Sequence, residues 1–189
     1  MAETTIEDFS SVADWTSLAG TLTSSSGQGA GTAATDNLAV SNAASYGPDI
    51  FVGITVSTLV ANDNEYILLG LRITNVPTTN GYYVSYVRQS GTDTMYLRRS
   101  SGGTPTTIGS WAQEVAAGNR IGISAVGSTI TAYIDTGSGW TVVGSVTDAN
   151  FNTAGALLLD IYNNQGKYKD MLALADKLEK DPKFLEDKD

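Results

Sequence analysis

The sequence predicts an all-β protein, two antiparallel sheets packed face to face, followed by an α-helical C-terminal tail. Two observations predict the sheets. Apolar and polar residues alternate with a period of two along about a dozen short segments. Clusters of Gly, Asn, Asp and Ser punctuate them about every 8–12 residues, with no helical pattern between. A third observation marks the tail: every lysine of the chain lies at or after Lys167.

In chain order, residues 4–9 (TTIEDF) read as a short first strand and 15–23 (WTSLAGTLT) as a weakly alternating one. SSSGQGAG at 24–31 reads as a flexible loop, and 37–41 as a short strand. In DIFVGITVS at 49–57, Ile50, Val52 and Ile54 form one face. ANDNE at 61–65 is a turn cluster, and YILLGLRI at 66–73 sets Ile67, Leu69, Leu71 and Ile73 on one side. YYVSYVRQ at 82–89, TMYLRRS at 94–100 and PTTIGS at 105–110 extend the meander. Residues 119–148 are the most regular stretch and read as three strands. Their apolar sets are Ile121, Ile123 and Ala125; then Ile130, Ala132 and Ile134; then Trp140, Val142 and Val146. Gly127-Ser128 fits a two-residue hairpin turn and DTGSG at 135–139 a longer one. ALLLDIYN at 156–163 is nearly continuous in hydrophobicity, the mark of a central strand.

Composition narrows the function classes. The 189 residues suffice for one sizeable core; 41% are hydrophobic and 16% charged. With no Cys, neither a disulfide nor a thiolate metal site can form, and with no His the commonest general base and zinc ligand is missing. A net charge of -9 disfavours nucleic acid and anionic membranes as partners. No apolar run approaches the roughly 20 residues that membrane insertion needs. MAETTIEDFSS shows no basic region or apolar run of a secretory leader.

EDF near the start, Trp15 soon after, the DIFVGITVS strand, GNRIGISAVGSTITAYIDTGSGWTVVGSVTD and then AGALLLDIYN together resemble the concanavalin A-like (laminin G-like) lectin and glucanase superfamily. The likeness is to members found in phage and bacterial surface proteins, and spans roughly residues 4–163. It implies a two-sheet antiparallel jelly-roll sandwich over residues 1–166, in which a final strand returns beside the first. KYKDML at 167–172 stands where that strand would come. Sheet faces in such folds often bind glycans.

The tail, residues 167–189, is different material: 6 Lys against 7 acids, with strong helix formers throughout. Met171, Leu174, Ala175 and Leu178 recur at helical steps. Asp181-Pro182 fits the start of a second short turn, which adds Phe184 and Leu185. A helix this short is marginal alone, so the stripe is expected to dock on its own sandwich, a sister subunit or a larger shell.

Catalytic constellations are poor. A glycanase needs two carboxylates facing each other across the sugar. Glu3, Glu7, Glu65 and Glu114 show no acid at i+2 on a strand, and Asp63 and Glu65 lie in a turn. GQGAG lacks the Lys-Ser/Thr ending of a phosphate loop. No cofactor is expected beyond calcium, for which Asp8, Asp63 and Asp160 are the candidate ligands, without EF-hand spacing. The strongest binding signal is parity. Tyr66 with Arg72, then Tyr82, Tyr86 and Arg88, then Tyr96 with Arg98 each share a face of successive strands, opposite sets such as Leu69 and Leu71 or Met95 and Leu97. Tyr and Arg suit ligand surfaces; a plain solvated sheet face stabilised by cross-strand pairs is the competing reading.

The functional expectation is a non-enzymatic virion component, such as a phage capsid decoration protein or a head- or tail-fibre adhesin. It would be made in the host cytoplasm and displayed on the virion surface, with other virion subunits or copies of itself, as a homo-oligomer, for partners. The alternative is an extracellular carbohydrate-binding, lectin-like module. A polysaccharide-acting enzyme has least support.

Overall fold

The computed structural model describes residues 4–7, 11–25, 27–31, 36–42, 46–76, 78–161 and 167–175. Side chains are described for these except at 4–7, 25, 160–161 and 167–175. The described residues form two antiparallel sheets. One holds eight strands, in the order β13 (Trp140–Thr147), β12 (Thr129–Asp135), β11 (Arg120–Val126), β6 (Ile50–Thr58), β15 (Lys167–Ala175), β4 (Gln28–Gly31) and β3 (Leu22–Ser25), with β1 (Thr4–Glu7) also paired to β15. The other holds seven: β10 (Thr104–Ala112), β9 (Thr94–Ser101), β8 (Asn80–Val87), β7 (Tyr66–Thr74), β14 (Ala156–Ile161), β5 (Ala39–Ser41) and β2 (Trp15–Ser17).

The predicted alternation builds the core between the sheets. Ile50, Val52 and Ile54 meet Ile67, Leu69 and Leu71, with Met95, Leu97, Ile121, Ile123, Ile130, Ile134, Leu157 and Leu159 around them. As its hydrophobicity predicts, β14 is internal, between β7 and β5. The stretch 24–31 is not a loop: residues Leu22–Ser25 and Gln28–Gly31 form a hairpin, turning at Gly27 with φ 69°.

The tail is corrected over its first nine residues. Met171, Leu174 and Ala175 lie in a strand, not a helix, since β15 pairs with β6 from Lys167↔Thr58 to Ala175↔Ile50 and with β1 at Thr4↔Ala173. The last strand does return beside the first. A helix this short is marginal alone, whereas pairing with β6 on one side and with β1 and β4 on the other ties the segment into the sheet, and this tertiary context overrides helix propensity. Leu178, Phe184 and Leu185 lie outside the described residues.

Two bulges re-aim side chains. On β7 one extra residue at Arg72, with φ 54°, shifts the register against both β8 and β14. Ile73 therefore leaves the expected set and joins Val40, Leu68, Tyr83 and Leu158 on the outer side. On β13 the register slips between Ala132↔Gly144 and Tyr133↔Val142. Val142 becomes 54% exposed. Trp140 packs on the outer face of its sheet, edge-on to Phe51 at 4.9 Å, where a Cβ on Gly53 would meet its ring at 2.7 Å.

Two aspartates fasten the strand ends. Asp135 accepts from Arg120 Nε at 2.9 Å and from the amides of Gly137 and Gly139 at 2.7 and 2.9 Å. Asp148 accepts from Tyr82 Oη at 2.7 Å, Asn150 N at 2.9 Å and Arg99 Nη1 at 2.6 Å. Burial alone would raise both carboxyls. The hydrogen bonds and the arginine charges outweigh it and hold both below the ordinary 3.8. Each therefore binds a proton less readily folded than unfolded. The stability they contribute is complete above the unfolded value and drains away as pH falls through the lower folded one. The urea midpoint is expected to be flat from neutrality to about pH 5 and to drop below about pH 4, with a shallower acid limb in Asp135→Asn. A midpoint equal at pH 3 and pH 7 would contradict this.

Candidate functional site

The seven-stranded sheet brings its chemistry together on the outer face. Cross-strand partners share a face, so the register lays out the surface. One row runs Val40, Leu158, Gly70, Tyr83, Arg98, Thr107. The next runs Leu68, Ser85, Tyr96, Ser110, and a third Tyr66, Val87, Thr94, Ala112. Val40, Leu68, Ile73, Tyr83 and Leu158 form an apolar floor, against which Leu18, Leu38 and Tyr66 pack half-buried.

Polar groups rise from this floor. The Arg98 guanidinium carbon sits 4.7 Å from the centroid of the Tyr96 ring. Gln89 Nε2 donates to Tyr96 Oη at 3.3 Å, and Thr94 Oγ1 donates to Gln89 Oε1 at 3.2 Å. Tyr66 Oη donates to Asp36 Oδ1 at 2.5 Å. Two polar atoms of the face, Ser85 Oγ and Arg98 Nε, are buried with no hydrogen-bond partner among the described residues. Native proteins leave few such atoms, and a ligand is one thing that satisfies them.

Of the residues expected here, Tyr66, Tyr96 and Arg98 share the face. Tyr82 and Tyr86 do not: both point into the core, fully buried, with hydroxyls donating to Asp148 at the rim and to Asp93. Burial first, and then the carboxylate each one meets, pushes Tyr82 up to about 12 and raises Tyr86 as well, so both stay neutral donors. Arg72 is buried between the sheets and Arg88 donates to the Val60 carbonyl at 2.8 Å, so neither joins the face. Sequence reasoning missed Tyr83 and Ser85. The signal was present: of the two alternating sets, Tyr83-Ser85-Val87 carries the serine and Tyr82-Val84-Tyr86 does not, and a buried serine suits an inward core position less well than tyrosine.

The carboxylates do other work. Glu65 Oε2 caps the amides of Ala61 and Asn62 at 2.9 and 2.8 Å, and Glu114 Oε1 accepts from Asp93 N at 3.1 Å. Among the described residues no group of three or more His, Cys, Asp or Glu could hold a metal. Asp63 is exposed in its turn, while the Asp8 and Asp160 side chains lie outside the described ones.

No protein-family model and no curated protein matches the sequence. Solved structures do match in fold. The carbohydrate-binding module CBM66 from Bacillus subtilis is similar over 86% of this chain and 96% of its own, at TM-score 0.70 and 17% identity. The exoplasmic/lumenal domain of VIP36, in a form bound to Ca2+ and Man2, covers 94% of this chain and 89% of its own, at TM-score 0.73 and 10% identity. A protein of unknown function with a galectin-like fold, also from Bacillus subtilis, covers 93% and 95% at TM-score 0.70 and 12% identity. The fold of the sandwich is therefore a two-sheet jelly roll similar to these, one of them described as galectin-like. A GH43 protein from Bacillus licheniformis is matched over only 29% of its length, at TM-score 0.55.

Proposed function

We propose that this protein is a non-catalytic carbohydrate-binding module that takes its ligand on the outer face of the seven-stranded sheet. One observation carries the reading: Tyr66, Tyr96 and Arg98 share that face, each partly exposed, with the Arg98 guanidinium stacked on the Tyr96 ring. A sugar ring offers an apolar C–H side that stacks on aromatic rings and hydroxyls that bond to planar polar groups. Fold neighbours described as a carbohydrate-binding module and as a Ca2+/Man2-bound domain support it. Glu65 and Glu114 are engaged by backbone amides of the fold, which supports the non-catalytic part. Display outside the cell belongs to the proposal, since a Thr- and Gly-rich chain without Cys or His suits that setting. The phage-virion expectation finds no support in the fold or its neighbours.

Screening on a glycan array, followed by calorimetry with the best saccharide, tests the reading. Tyr96→Ala is expected to weaken binding by roughly tenfold or more. Tyr82→Phe, inside the core, is expected to leave affinity unchanged while costing about 1 kcal/mol of stability. Equal affinity of Tyr96→Ala and the parent chain would overturn the proposal.

A further inference from the structure

We infer that the saccharide carries a single carboxylate, as a terminal uronic acid does, and that Arg98 receives it. This rests on the sheet face being the binding surface. The chain has five arginines, and four have work within the fold. Arg72, Arg99 and Arg120 form ion pairs with Asp49, Asp148 and Asp135, and Arg88 donates to the carbonyl of Val60. Arg98 has no ion pair or hydrogen bond among the described residues. It lies over Tyr96 with its Nε buried and unbonded. Its cross-strand neighbours, Tyr83 and Thr107, bring no carboxylate.

A guanidinium edge held this way presents donors at a fixed spacing, and a carboxylate accepts two of them at once. The Tyr96 ring restricts the guanidinium plane, so less freedom is lost when the anion arrives. Overall charge limits the ligand in turn. A chain at -9 repels a polyanion, and one arginine without an ion pair among the described residues matches one carboxylate, so an acidic residue at the end of a neutral saccharide fits better than a polyuronide.

The test is calorimetry of the full chain with two probes: a disaccharide ending in glucuronic acid, and the same disaccharide with its carboxyl reduced to the alcohol. The parent chain is expected to bind the acid at least roughly tenfold tighter. Arg98→Met is expected to erase that preference and Arg98→Lys to keep part of it, because a lysine supplies charge without the planar fork. Equal affinity of the parent chain for both probes, weakened for both by Tyr96→Ala, overturns the carboxylate and leaves the binding face standing. No binding of either probe overturns the carboxylate, and a glycan array without a hit overturns the binding face as well.

Discussion

Arg72→Met is expected to lower the unfolding free energy by about 3–5 kcal/mol, the cost of removing one partner from a buried ionic network. Arg72 is 2% exposed and ties together three separate parts of the chain. Its Nε donates to the Pro48 carbonyl at 2.6 Å, and its Nη1 to the carbonyls of Gly127 at 2.9 Å and Phe151 at 2.8 Å. Asp49 lies 3.4 Å from Nη2 and also accepts from Gly127 N at 2.8 Å. The guanidinium thus joins the entry to β6, the β11–β12 turn and the loop before β14, across the end of both sheets. Methionine fills similar length but leaves the carbonyls without donors. Lysine keeps the charge, yet a single head spans the set poorly, so an intermediate loss is expected. The left-handed φ of 54° gives a further comparison. Arg72→Gly relieves that backbone by about 1 kcal/mol but empties the buried site, and is expected to be at least as damaging as Met. Urea unfolding measures all three; a Met variant within about 1 kcal/mol of the parent would show that the clamp is not holding the sandwich end.

Gly155→Ala is expected to destabilise by about 1–3 kcal/mol, against the usual sign for a glycine at an ordinary φ. Gly155 is buried and bridges Tyr46, with N–O distances of 3.0 and 3.2 Å. A Cβ there would stand 2.5 Å from the Arg72 carbonyl carbon and 2.7 Å from Ile73 N and O. Those are backbone atoms of the β7 bulge, so no rotamer change makes room. The bulge and the bare glycine above it are one device: the extra residue turns Arg72 inward only because the strand over it approaches without a side chain. A rise in the denaturant midpoint of Gly155→Ala would contradict the packing.

The strands were legible because burial on one face forces a period of two, and a sequence shows that directly. A bulge adds one residue without changing composition, so Ile73 and Val142 were set on the wrong face and Arg72, alternating with leucines, read as outward. Tyr82 and Tyr86 misled for another reason. A tyrosine can face either way if its hydroxyl finds a partner, and here Asp148 and Asp93 supply it from distant parts of the chain. The strand β15 hid its period behind register shifts after Lys167 and Lys169, in residues that also favour helix. The glycines of GQGAG concealed β4 for want of side chains to alternate. At the face itself, Tyr66, Tyr96 and Arg98 were legible from parity within single strands. For Tyr83 and Ser85 the signal was the serine in their alternating set, outweighed by the two tyrosines of the competing set.

Backbone amide chemical shifts of the 15N-labelled chain, followed as the array-selected saccharide is added, test the binding face most directly. Saturable changes are expected at Tyr83, Ser85, Tyr96 and Arg98, with Phe51, Gly122, Tyr133 and Trp140 on the opposite outer face unmoved. Changes centred on Phe51, Tyr133 and Trp140, with β8 and β9 silent, would contradict it.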